Sequence, residues 1–213
     1  MKSKDAIQIV NEFKGTNLKQ NLNEIKASLM VKGKAGIPDL YQVYKAALEV
    51  KKLSAQIDEV VHSAGIIICL PRILAEDEKV VDLSLASGAD GEGIDLVTDK
   101  RIAEFKFSNW QTDGANGMRK RQVFSDLVNL YLYPSSLKKE LYVFNSAKII
   151  SFFQSKKASW KNVLSKSGGL DKKLEAHLLA QNVSGTNLND VYSISKIEVI
   201  DIDKILNDNS TRN

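Results

Sequence analysis

The chain has 213 residues, 43% apolar and 26% charged, enough for one well-filled core or at most two small domains. A single cysteine, Cys69, excludes an internal disulfide and a cysteine-based zinc site, and the two histidines, His62 and His177, are too few for a histidine-rich metal centre. Chemistry in this chain therefore falls to carboxylates and lysines. The net charge of +4 is unevenly spread. Residues 1–34 hold seven lysines against three acids, residues 148–173 hold seven against one, and residues 76–104 hold nine acids against three basic residues. A basic chain with a concentrated acidic segment in its middle suggests an anionic partner held around a cation site.

The N-terminus, M-K-S-K-D-A-I-Q-I-V-N-E, has no apolar signal region. The longest apolar run, Ile66 to Leu70, is core-sized. A cytoplasmic protein with no membrane association is the expectation.

Residues 1–37 are polar and lysine-rich and predict one or two helices with a loop. Pro38 suits a first helical position and Asp39 a first turn. Leu40, Val43, Tyr44 and Ala47 keep helical spacing, which predicts a helix to about His62, ending before Gly65. The apolar stretch 66–74, with a proline inside, fits a strand or a helix. Val81, Leu83 and Leu85 alternate with polar residues and predict a strand over 80–86. The loop S-G-A-D-G-E-G follows; it lacks the ending of a phosphate-binding loop and reads as a flexible entry into what comes next, with Asp90 and Glu92 as solvated acids or outlying metal ligands.

Two apolar runs, 94–97 and 102–107, joined by T-D-K-R, predict a hairpin. A tight turn at Asp99 and Lys100 sets Val97 opposite Ile102 and Asp95 opposite Glu104. Alternation then puts Asp95, Ile102, Glu104 and Lys106 on one face, with Ile94, Leu96, Ala103, Phe105 and Phe107 on the other. Two carboxylates so placed repel unless a cation lies between them. Lys106 supplies one charge; a divalent ion with a taste for oxygen ligands would supply two. Such an ion polarises a phosphoryl oxygen and activates water.

Beyond the hairpin, residues 108–117 read as a loop and 117–133 as a helix stopping at Pro134. A strand over 140–145, helices over about 146–164 and 170–181, and a late edge strand over 194–202 complete the pattern. The end, about 206–213, reads as a disordered tail. No linker or repeat interrupts the chain, so a single domain over 1–213 is expected.

Asp95, a spacer, then Glu104-Phe105-Lys106 resembles the active-site signature of the PD-(D/E)XK nucleases, the restriction-endonuclease-like superfamily. Ile94 stands where the first letter of the signature is proline. The resemblance covers about half the chain and implies an α/β fold: an α/β/α sandwich with a central mixed sheet, in the order αβββαβ, plus extra helices. It implies catalytic roles for Asp95, Glu104 and Lys106, with Mg²⁺ or Mn²⁺ bound by Asp95, Glu104 and the Phe105 carbonyl. It also implies an additional acid from the first helix, where Glu49 and Glu59 are candidates and Glu49 is preferred for its place at the edge of the apolar stripe, although a helical glutamate is more often simply solvent-facing. Arg119 and Lys120 could contact a phosphate or lie along the helix surface, and Trp110 could stack on a base or pack under its loop. The expected function is a metal-dependent nuclease acting on nucleic acid, DNA first. A ribonuclease or nuclease toxin and a non-catalytic nucleic-acid-binding subunit are the alternatives, and a homodimer is an assembly open to either.

Overall fold

The computed structural model describes residues 2–85, 94–107 and 116–207. The chain divides into two compact units, 1–60 and 61–213.

The first unit is helical. Helices α1 (Ser3–Lys14) and α2 (Leu18–Lys32) are joined through Gly15, whose φ of +53° is one that a side-chain-bearing residue rarely adopts. The Asn21 amide donates to Phe13 O across that turn at 2.7 Å. A 3₁₀ turn (Gly33–Gly36) leads to helix α3 (Tyr41–Ile73). The Asp39 carboxylate accepts the Tyr41 N–H at 3.0 Å, so α3 starts three residues beyond Pro38, its expected first position.

Helix α3 also outruns its expected end. It passes Gly65 and Pro71, and the undecided stretch 66–74 is helical as far as Ile73. Pro71 falls in the last turn, where the loss of one backbone donor is least disruptive, and Arg72 Nη1 donates to Ile68 O. Gly65 is needed for space: a Cβ there would lie 2.4 Å from Phe107 Cε1. By length and composition α3 could cross a membrane, its most apolar 18 residues having a mean hydropathy of 1.4 with 12% of that stretch buried. In the second unit, Ile66 and Cys69 on this helix are fully buried against the sheet, as in a core helix.

The second unit is built on a five-stranded mixed sheet in the order β1 (Val80–Leu83), β2 (Leu96–Thr98), β3 (Arg101–Lys106), β4 (Lys138–Val143), β5 (Glu198–Asp201). β1, β2 and β3 pair antiparallel; β4 is parallel to β3, and β5 to β4. The β2–β3 register sets Leu96 opposite Ala103 and Val97 opposite Ile102, as the sequence predicts. Helix α4 (Asn116–Leu132) makes the crossover that the parallel β3–β4 pair requires.

Helices cover both faces of the sheet. On one, Ile66 and Cys69 of α3 pack with Leu96, Ala103, Phe105, Tyr142 and Ile202. On the other, Val123, Phe124 and Leu127 of α4 pack with Ile102, Leu141 and Val143. This second core extends through α5 (Ser146–Phe153), α6 (Trp160–Leu164), α7 (Leu170–Ala180) and α8 (Leu188–Ser195).

Several expected boundaries shift. The single helix over 146–164 is two, because Ser155 O and Ala158 O accept from Asn189 and Leu188 of another segment instead of from their own chain neighbours. Helix α8 adds to the expected elements, with Asn187 and Asp190 forming a reciprocal capping box at its start. Helix α9 (Ile202–Asn207) takes in the beginning of the expected tail, and Leu206 packs on the core; residues 208–213 lie outside the described residues.

Ile94 departs from the expected face. It joins the Ile102 core on the α4 side, not Leu96 on the α3 side, because it precedes the strand and alternation does not govern it.

Candidate active site at the end of the β2–β3 pair

Asp95 sits one residue before β2, where the ladder has not yet closed. Its main chain is fixed by Ser84, whose N–H donates to Asp95 O at 2.8 Å. Its side chain reaches towards β3, and Oδ2 accepts the Phe105 N–H at 2.7 Å. Oδ1 lies 3.1 Å from His62 Nε2 on α3. Asp95 is thus buried with each oxygen partnered.

Glu104 and Lys106 project from β3 two residues apart, and so to the same side of the strand. Glu104 is 9% exposed, and its Oε2 is buried with no hydrogen-bond partner. Burial, the Asp95 charge and the Asp126 charge together push its carboxyl up to about 9, against Lys106 and a hydrogen bond from the Asp95 backbone. Lys106 Nζ lies 2.9 Å from Asp126 Oδ2 on α4. Burial alone would lower the lysine pKa, but Asp126, Glu104 and Asp95 outweigh it and the net shift is upward. Burial drives the Asp126 carboxyl upward despite its partner.

The three residues expected to act together are therefore joined electrostatically, and two more belong with them. His62 and Asp126 each left a trace in the sequence. His62 keeps step with Ile66, Cys69 and Ile73 on the inner stripe of α3, and Asp126 interrupts the Val123, Leu127, Leu130 stripe of α4. A charged or titratable residue in a buried stripe calls for a partner, but the partner's identity comes only from the fold.

Of the other expected residues, Glu49 belongs to the first unit. Lys120 Nζ lies over the Phe152 ring, 5.5 Å from its centroid, and Arg119 is half-buried in the first turn of α4. Trp110 lies outside the described residues, as do Asp90 and Glu92.

A second buried polar cluster occupies the opposite end of β3. Arg101 Nε and Nη2 donate to the two Glu78 oxygens at 2.7 Å each, and Nη1 donates to Glu140 at 3.1 Å. Tyr142 OH and Lys138 also bind Glu140, and Thr98 Oγ1 donates to Glu78 at 2.7 Å. Each acid here has a cationic partner, unlike Glu104. The cluster ties the segment before β1 to β3 and β4.

Among the described residues, no three His, Cys, Asp or Glu side chains converge closely enough to hold a metal ion by themselves. The two-carboxylate arrangement suits a cation in a different respect: the orphaned Glu104 Oε2 is a buried acceptor whose ionisation needs positive charge beside it. Searches against known protein families, curated proteins and solved structures find no match to this chain.

Proposed function

We propose that the chain is a metal-dependent nuclease hydrolysing phosphodiester bonds, with DNA as the expected substrate. The observation that carries this reading is the grouping of Asp95, Glu104 and Lys106 around a buried carboxylate oxygen with no partner. The order α3, β1, β2, β3, α4, β4, with β4 parallel to β3, also supports it, because it matches the αβββαβ order that the sequence resemblance implies.

Asp95, Glu104 and the Phe105 carbonyl would hold Mg²⁺ or Mn²⁺, which when bound supplies Lewis-acid polarisation of a phosphoryl oxygen and a more acidic water. Asp95 comes to this task already oriented, its oxygens fixed by the Phe105 N–H and by His62. Lys106 stays an ammonium at neutral pH because its pKa is raised. It therefore acts as a hydrogen-bond donor and a positive charge beside the attacking water or the developing phosphorane charge, not as a general base. Asp126 holds that ammonium in place.

The test is incubation with plasmid, linear duplex, single-stranded DNA and RNA in Mg²⁺, Mn²⁺ or EDTA. Metal-dependent cleavage of a DNA substrate is the expected result. No cleavage of any substrate with either metal would overturn the reading.

A further inference from the structure

A cavity of about 590 Å³ opens beside the Lys106–Asp126 pair, between α4 and the α6–α7 turn. Besides that pair, its described lining carries Arg121, Lys166 and Lys173 as cations and Gln122 as a neutral donor, with Asp126 the only acid among the lining residues. Lys106 offsets Asp126, so three positive charges face the cavity without an acid in its wall to match them.

The walls are fixed. Arg121 Nε donates to Val163 O at 3.2 Å, and Ser125 Oγ lies 3.0 Å from Ser167 Oγ, so α4 is tied once to α6 and once to the α6–α7 turn. Gly168 and Gly169 in that turn have φ of +57° and +83°. A Cβ on either would meet nothing within 4 Å, so the glycines serve the backbone path and not the space. That path brings Lys166 and Lys173, both exposed, to the same cavity. Lys161 of the same basic segment is instead paired with Glu175.

We infer that this cavity is an anion subsite that seats the phosphates of one nucleic-acid strand on Arg121, Lys166 and Lys173. Its volume falls in the range of roughly 300–1,000 Å³ typical of ligand pockets, which suits a nucleotide or two of a strand and not a whole duplex. Helices α6 and α7 lie outside the αβββαβ order, so the subsite is an addition of this chain to that order. That the strand is the one to be cut rests on the nuclease reading; that it binds does not.

The experiment measures binding of fluorescein-labelled single-stranded DNA, RNA of the same sequence and duplex DNA in EDTA over a salt series. The wild type is compared with the double variant Lys166→Gln/Lys173→Gln and with a control of equal charge loss, Lys156→Gln/Lys172→Gln. All four lysines are exposed, and melting temperature checks that both proteins fold. Losing a phosphate contact lowers the logarithmic salt slope on a single strand by about 0.7, so the cavity pair should lose about 1.4 in slope and about 25-fold in affinity at 0.1 M salt. The control should stay within about twofold of the wild type, and single strands should bind more tightly than duplex. Equal losses in both variants, no loss in the cavity pair, or tighter duplex binding would overturn the inference. Cleavage by the wild type in Mg²⁺ is scored alongside: selective loss of binding without any cleavage leaves the subsite standing and sinks the nuclease reading, whereas cleavage with unselective binding does the reverse.

Discussion

Lys106 Nζ and Asp126 Oδ2 lie 2.9 Å apart, joining the last residue of β3 to the middle of α4. The pair gives Lys106 a structural role beside its proposed chemical one. Lys106→Ala strands the Asp126 carboxylate in the core, and breaking a buried pair in this way costs about 3 kcal/mol. The melting temperature should fall by about 6 °C or more. Lys106→Met/Asp126→Leu, which removes both charges and keeps the volume, should recover most of that loss. A single variant as stable as the wild type would show that the pair is not buried in solution.

Glu104 predicts the opposite behaviour. In the fold its carboxyl keeps a proton up to about 9, whereas unfolded it loses that proton near 4.5. A raised acid pKa means that the folded state binds more protons, so this group lowers stability progressively as pH rises between those values. Glu104→Gln has no proton to lose. In EDTA its melting temperature should exceed that of the wild type by a margin that widens from pH 5 to pH 8.5. Thermal melts across that range check it, and a margin that stays constant would contradict the burial of the charge.

Much of this arrangement was legible in the sequence. The turn at Asp99 and Lys100 sets the β2–β3 register, and alternation along β3 puts Glu104 and Lys106 on a common side. What was hidden is what lies beyond the ladder. Asp95 and Ile94 precede β2, so period-two alternation could not place them, and the Asp95 side chain is set by a hydrogen bond to Phe105. The sequence predicts a shorter α3 because Gly65 reads as a break and the proline in 66–74 leaves that stretch open to strand or helix. Gly65 makes room for the Phe107 ring, and Pro71 falls in a last turn that tolerates it. The Lys106–Asp126 and His62–Asp95 pairs each span 20 or more residues, and no local pattern reports them.

On the nuclease reading His62 is a positioning residue, because its Nε2 lies 3.1 Å from Oδ1 of Asp95, a proposed metal ligand. Removing the partner of a metal-ligating group typically costs 10–100-fold in metal affinity or activity. His62→Ala should therefore weaken Mg²⁺ binding by that factor, while His62→Gln, which can still donate to Asp95 Oδ1, should restore part of it. Isothermal titration with Mg²⁺ or Mn²⁺ on both variants checks this. Equal, wild-type affinities would leave His62 a packing residue only.

The Arg101 cluster governs acid stability. Burial works against ionisation of Glu78, but hydrogen bonds from Arg101, Thr98 and the Ala75 N–H outweigh it, and the pKa falls to about 2. A depressed acid pKa contributes stability above its unfolded value of about 4.5, and that contribution is lost as pH falls towards 2. Glu78→Gln should cost about 3 kcal/mol at pH 7, with the gap from the wild type closing below pH 4.5. Urea unfolding at pH 7, 4 and 3 measures it, with the gap at pH 3 expected to be less than about half that at pH 7; a gap as large at pH 3 as at pH 7 would assign the loss to packing.

The most direct test of the central claim is the rate of Mg²⁺-dependent cleavage by the wild type, Asp95→Asn and Glu104→Gln, all checked for folding. Each substitution keeps the shape of its side chain and removes one negative charge from the site. If these carboxylates hold the ion, both variants should lose at least about 1,000-fold in rate, roughly 4 kcal/mol of transition-state stabilisation, while binding single-stranded DNA in EDTA as the wild type does. Folded variants that cleave at the wild-type rate would mean that Asp95 and Glu104 are structural charges and that the nuclease reading is wrong.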